Sequence, residues 1–130
     1  MNFKRYLVEF DTGVDLHGMD YTKAAKKAVK NAISHCCLCG LQDLLDLQTP
    51  ADAMKVSVKI GSPDPEAVDQ EAVLAQIPFG QTEIEVVPGG LSGKGLSVPS
   101  LGSGDTIVMV NALLTVWVDT DKLVYRFPAR

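Results

Sequence analysis

A chain of 130 residues has the size of one domain and can bury a core of moderate extent. Its apolar fraction of 46% is ordinary for a globular protein, and 11 Gly with 7 Pro are too few for a disordered chain. A net charge of −4 and a pI near 5.0 argue against nucleic acid as a partner, because phosphate binding needs a concentrated basic face.

The start, "MNFKRYLVEFD", lacks the apolar segment of a secretory signal and reaches a carboxylate early. The longest apolar run, residues 107–118, is too short to span a bilayer and contains Asn111 and Thr115. A cytoplasmic protein with no membrane partner is expected. Residues 3–10, "FKRYLVEF", alternate as a strand, with Tyr6, Val8 and Phe10 on one face and Arg5 and Glu9 on the other.

Residues 20–40, "DYTKAAKKAVKNAISHCCLCG", carry the clearest periodicity. Ala24, Ala25, Ala28, Val29, Ala32, Ile33, Cys36 and Cys37 recur at helical spacing, with Asp20 or Thr22 as cap and Gly40 as terminator. A stripe so rich in alanine predicts close approach to a sheet. Lys23, Lys26, Lys27 and Lys30 fall on the opposite, solvated face. Three clustered cysteines, Cys36, Cys37 and Cys39, are not a disulfide framework and fit a reducing compartment. Zinc sites draw ligands from two separated pairs, and no second pair exists, so Cys36 and Cys37 read as small apolar residues of the helix stripe.

"LQDLLDLQTP" is a short helical turn or loop ending at Pro50. "AMKVSVKIG" is a strand with one wet face. "SPDPEAVDQEAVLAQIP" reads as a second, shorter helix, with Asp64 as cap, Pro65 at its first position and Pro78 closing it. "QTEIEVV" is another strand. Residues 88–105, "PGGLSGKGLSVPSLGSGD", form a long glycine-rich loop without periodicity. "TIVMVNALLTVWVD" and "KLVYRF" predict a strand hairpin turning at residues 119–121, its first strand central or at a subunit interface.

The order strand, helix, strand, helix, strand, loop, strand, strand predicts an α+β fold. It has a mixed sheet of about five strands with two helices on one face. The other face then requires cover, which a second copy supplies most simply, so a homo-oligomer is expected.

The segment "FDTGVDLHGMDYTKAAKKAV" sets Asp11, Asp15, His17 and Asp20 around Gly13 and Gly18, just ahead of the long helix. A helix start requires one cap, so the remaining polar groups lack a local job. The two glycines permit close backbone approach and positive φ. Asp15 and His17 are two apart and share a face of an extended segment, where a carboxylate can orient an imidazole as a general base. The helix N-terminus behind them favours an anionic ligand group.

Gly13, Asp15, His17 and Gly18 resemble the Gly-x-Gly-x-Asp-x-His-Gly signature of a small uncharacterised family of bacterial and archaeal proteins, also found as a domain in plants. The later "IPFG" and "PGGL" are similar too, so the resemblance covers most of the chain. The sequence departs from the pattern at Asp11, where the family has its first glycine. The resemblance implies a site at this turn and brings no activity with it.

"GGLSGKG" fails as a Walker phosphate loop. Gly95 stands where Ser or Thr should follow the lysine, and no helix comes next. Lys94 and Ser92 can still meet an anion with side chains and backbone amides. Ser62 and Asp64 sit in a third polar turn, as caps or as ligand contacts. If the strands before the Asp15 and Ser62 turns run parallel, both turns share one sheet edge, and the glycine loop can complete a cleft there.

The reading is a small-molecule site, for an anionic or cyclic amide ligand. If the protein is an enzyme, the chemistry is acid–base, with His17 as proton carrier and Asp15 as orienter; Gly13, Gly18, Asp11, Lys94, Ser92 and Ser62 are ligand contacts. Hydrolysis of a cyclic amide or isomerisation beside a carbonyl both suit it. The element order is also similar to chorismate-mutase-like folds, of which ring-opening amidohydrolases are built. The rivals are a non-catalytic binding or assembly module, and a divalent-metal site using His17, Asp15 and Asp11 or Asp20. No resident cofactor is expected.

Overall fold

The computed structural model describes residues 1–123. Strand β1 (Phe3–Asp15) leads into helix α1 (Tyr21–Ser34), followed by two short helices, α2 (Cys39–Asp43) and α3 (Pro50–Ala53). Strand β2 (Met54–Ser62) is followed by a 3-10 turn (Pro65–Ala67) and helix α4 (Gln70–Leu74). Strands β3 (Gln81–Pro88), β4 (Leu91–Lys94) and β5 (Thr106–Asp119) complete the sheet, and a 3-10 turn (Thr120–Lys122) ends the described chain.

The fold is α+β, with one mixed sheet in the order β1-β5-β2-β3 and β4 added to β5 beyond the end of β2. β5 is antiparallel to β1 and β2, and β2 is parallel to β3. β1, β2 and β3 therefore all point the same way. The most apolar strand is central, because both of its edges are paired.

One sheet face carries the helices of the described residues. Val56, Val58, Ile60, Val108, Val110, Ala112 and Leu114 meet Ala24, Ala25, Ala28, Val29 and Ala32 of α1 in the main core. A second core joins Leu41, Leu47 and Ala53 to Met54, Val116 and Val118 at the other end of the same face. The alanine stripe does bring α1 close: a Cβ on Gly13 of β1 would overlap the Ala24 carbonyl and the Ala28 amide. That glycine is demanded by helix packing rather than by a turn. α1 also protects the open edge of β1, because Lys27 donates to the Val14 carbonyl at 3.1 Å and Asn31 to the Thr12 carbonyl at 2.9 Å.

Several expected boundaries move. β1 continues to Asp15, so Asp11 and Gly13 are strand residues. A bulge between Arg5 and Leu7 resets its alternation: Glu9 faces the helices, while Val8 and Phe10 face outward. α1 ends at Ser34 with His35 as its C-cap, not at Gly40. Cys36, Cys37 and Cys39 are free and exposed, which overturns the reading of Cys36 and Cys37 as buried stripe residues. The second expected helix is broken into the 3-10 turn and α4, and Asp69 rather than Asp64 caps α4 by accepting from the Ala72 amide. Part of the glycine-rich loop is strand β4. The second strand of the expected C-terminal hairpin falls almost wholly outside the described residues.

Among the described residues no helix is long and apolar enough to cross a membrane.

Candidate functional site

Both β1 and β2 run antiparallel to β5, so their C-terminal ends reach the same sheet edge. The Asp15–Asp20 turn and the Ser62–Asp69 segment leave from that edge. Thr22 in the first turn of α1 bridges them: its hydroxyl donates to the Ala67 carbonyl at 3.3 Å and accepts from the Asp69 amide at 2.9 Å. The start of β5 and strand β4 lie at the same edge. Asp15 and Ser92 both pair with Val108, one from each side, so their backbones are roughly 10 Å apart, two strand spacings. Lys94 pairs with Thr106, one side-chain row further out.

Asp15 is 2% exposed. Its Oδ2 accepts from the Asp20 amide at 2.9 Å, and its Oδ1 lies 3.7 Å from the Lys23 ammonium. Asp20 in turn caps α1, accepting from the Lys23 amide at 3.0 Å. The chain thus brings its own carboxylates to the helix N-terminus, where the sequence favoured an anionic ligand. Between them the backbone turns sharply, with Gly18 at φ +99° and Met19 at φ +52°.

His17 projects from this turn and is partly buried. Its Nδ1 is shielded from solvent and has no hydrogen-bond partner. No hydrogen bond joins it to Asp15, whose contacts are with Asp20 and Lys23. The glycine loop lies against the base of His17: a Cβ on Gly102 would come within 2.8 Å of the His17 Cβ and of its backbone carbonyl carbon. The loop of the same chain therefore closes over the turn.

The remaining candidates separate. Gly13 lies under α1. Asp11 accepts from its neighbour's amide, Thr12, at 2.8 Å and meets His35 Nδ1 at 2.9 Å, beyond the far end of α1 from Asp15. The Thr12 amide first, and His35 second, draw its carboxyl below the ordinary range against the opposing effect of burial. Ser62 is fully buried, and its hydroxyl is used within its own turn, donating to the Asp64 carbonyl and accepting from the Asp64 amide, both at 3.2 Å. Ser92 and Lys94 are exposed on β4. Among the described residues, no three His, Cys, Asp or Glu side chains are grouped to hold a metal ion.

Sequence reasoning missed Lys23 and Gly102. Lys23 belongs to the lysine face taken as solvated, and only the turn at Gly18 folds Asp15 back to it. Gly102 was one glycine among many in a loop without pattern. It also missed a cavity of about 270 Å³ on the helix side of the sheet, lined by Glu9, Cys36, Cys37 and apolar side chains. The bulge in β1 concealed that Glu9 points inward.

Fold and site together define a small single-sheet α+β protein whose polar groups gather at one sheet edge under a glycine loop. The chain belongs to the Lin0512 family of conserved hypothetical proteins, which it matches over residues 5–116. It is also similar to the crystal structure of an FtsZ-like protein of unknown function from Nostoc punctiforme. The two are 36% identical with a TM-score of 0.77, and the likeness covers 92% of this chain and 98% of that one. Comparison with curated proteins gives no match.

Proposed function

We propose that this protein binds a small organic molecule at the Asp15–His17 turn, and that His17 is the proton-handling group of that site. The observation that carries this reading is the His17 Nδ1 atom, shielded from water and unpaired. Leaving such a nitrogen without a partner costs about 1–3 kcal/mol, which a ligand atom would recover. Asp15 then acts as a positioning residue, holding the start of α1 and Lys23, and Lys23 supplies a positive charge for a carbonyl or carboxylate oxygen. Lys94 and Ser92 lie on β4, across β5 from Asp15, at the rim. A cyclic amide or a carbonyl compound with an acidic neighbouring C–H suits a site that offers both an imidazole and an ammonium group. Three free, exposed cysteines support a reducing, cytoplasmic setting.

The test is thermal stabilisation by succinimide, hydantoin and dihydrouracil, with the His17 ring resonances followed by NMR. At least one compound should raise the melting temperature of the wild type and shift those resonances, and should do neither in His17→Ala. No shift with any of them, or the same stabilisation in His17→Ala, overturns the reading.

A second reading, self-assembly, rests on a different observation. The sheet face away from the helices exposes Val8 (40%), Phe10 (72%) and Leu113 (41%) side by side. Lys55 and Lys59 of β2 adjoin Glu83 and Glu85 of β3 on the same face, so a two-fold partner can set lysines against glutamates. Light scattering should then give a mass above the 14.0 kDa of one chain, and Phe10→Glu should return it to one chain. A wild-type monomer at micromolar concentration sinks this reading.

A further inference from the structure

The helices cover the sheet in two blocks, and among the described residues the face between them stays open. α1 and α4 close the main core and α2 and α3 close the second. The gap is the cavity of about 270 Å³. Its floor is Met54, Val56, Leu114 and Val116, side chains shared between the two cores. Ile33 and Phe79 also line the cavity, and Phe79 is 43% exposed.

One carboxylate interrupts this apolar lining. Glu9 reaches the cavity from β1, and among the described residues no cation pairs with it. The Cys36 thiol is the hydrogen-bonding neighbour of its carboxylate. Burial pushes the Glu9 carboxyl above its ordinary range, and the Cys36 bond offsets that only in part. The same neighbourhood pushes the Cys36 thiol up, through desolvation first and the Glu9 charge second, so this cysteine is a weak hydrogen-bond donor rather than a nucleophile.

We propose that this cavity is a second binding site, separate from the Asp15–His17 turn, for a small organic amine whose apolar body fills the slot and whose ammonium group pairs with Glu9. An apolar slot with a single unpaired acid selects a molecule with an apolar body and one positive end. The volume sets the size: at roughly 30 Å³ for a water-sized group, the cavity takes about nine non-hydrogen atoms. Two properties make the site specific. The apolar floor excludes hydrated polyamines, and the Glu9 charge excludes fatty acids of the same length.

The probes are 2-phenylethylamine, its neutral analogue 2-phenylethanol and its anionic analogue 3-phenylpropionate, titrated by calorimetry and amide NMR. The amine should bind with a Kd on the order of 1 mM, as expected for so few atoms. It should bind roughly tenfold tighter than the alcohol, the increment of one charged hydrogen bond. The perturbed amides should cluster around Glu9, Val56 and Phe79. Glu9→Gln should reduce amine binding to the level of the alcohol and leave the alcohol unchanged. Cys37→Trp, a change at an exposed position on the cavity mouth, should abolish both. Equal binding of amine and alcohol by the wild type overturns the proposal without any variant. So do tighter binding of the propionate, amine binding indifferent to Glu9→Gln, and absence of saturable binding. His17→Ala should leave amine binding intact, so failure here and failure at the Asp15–His17 turn are distinguishable.

Discussion

Asp11 of β1 and His35 beyond the C-terminus of α1 meet at 2.9 Å, Oδ2 to Nδ1. The edge strand is thereby tied to the far end of the helix that it carries. Asp15 on the same strand holds the near end, through the Asp20 amide. Two carboxylates four residues apart on one strand face thus pin a 14-residue helix at both ends.

The Asp11 link has a defined pH dependence. Its folded pKa lies below the ordinary 3.8, so its stabilisation is present above that value and is lost as pH falls through the folded pKa. Asp11→Asn should lower the melting temperature at pH 7, and the gap to the wild type should narrow steadily below about pH 4. A gap that stays constant down to pH 2 would show that the charge is irrelevant.

Gly13 offers a steric test. Its added Cβ would meet the backbone of α1, which cannot rotate away as a side chain can. Gly13→Ala should cost about 3 kcal/mol or more in urea unfolding, at the upper end for overpacked cores. Gly93 of β4 has nothing within 4 Å of an added Cβ, so Gly93→Ala should stay within about 0.5 kcal/mol of the wild type.

Asp15 separates the roles of acceptor and charge. Asp15→Ala leaves the Asp20 amide without its acceptor and should cost about 1–3 kcal/mol. Asp15→Asn keeps an acceptor and loses the attraction to a Lys23 side chain that is 57% exposed, so it should cost less than about 1 kcal/mol. Equal costs for the two variants would make Lys23 the dominant partner.

Cys36 and Cys37 are exposed, so neither is a core truncation site. Either change to Ala should alter stability by less than about 0.5 kcal/mol. Cys37 and Cys39 of the native protein should react with an aromatic disulfide reagent before unfolding, and Cys36 more slowly, because desolvation and the Glu9 charge push its thiol up. Three thiols that titrate only in denaturant would contradict the surface position.

Glu9→Gln should stabilise the protein at neutral pH. A carboxyl with a raised folded pKa contributes its full stability below the unfolded pKa and loses it as pH rises through the folded pKa. The variant should therefore melt above the wild type at pH 7, and the advantage should vanish near pH 4. An advantage that persists at pH 3 would trace to packing instead.

Local pattern alone determined the parts of this protein that obey a single period. The 3.6-residue recurrence of Ala24, Ala25, Ala28, Val29 and Ala32 marks the buried stripe of α1, and Asp20 caps it. The twofold alternation of Met54, Val56, Val58 and Ile60 marks the covered face of β2. The small side chains of α1 also announced its close approach to the sheet. Tertiary structure decided what such periods cannot carry. Gly13 reads as a turn residue until α1 is laid across it, because the steric demand comes from atoms 11 and 15 residues away in sequence. α1 stops at Ser34 because the chain must bend there for Leu41 and Leu47 to cover Met54, Val116 and Val118. Glu9 faces a cavity because one bulge shifts the register of β1. The site edge itself exists only because β5, the last strand of the described residues, inserts between β1 and β2 and leaves them parallel. That pairing is non-local, set by burial of β5 on both edges, and no short stretch of sequence encodes it.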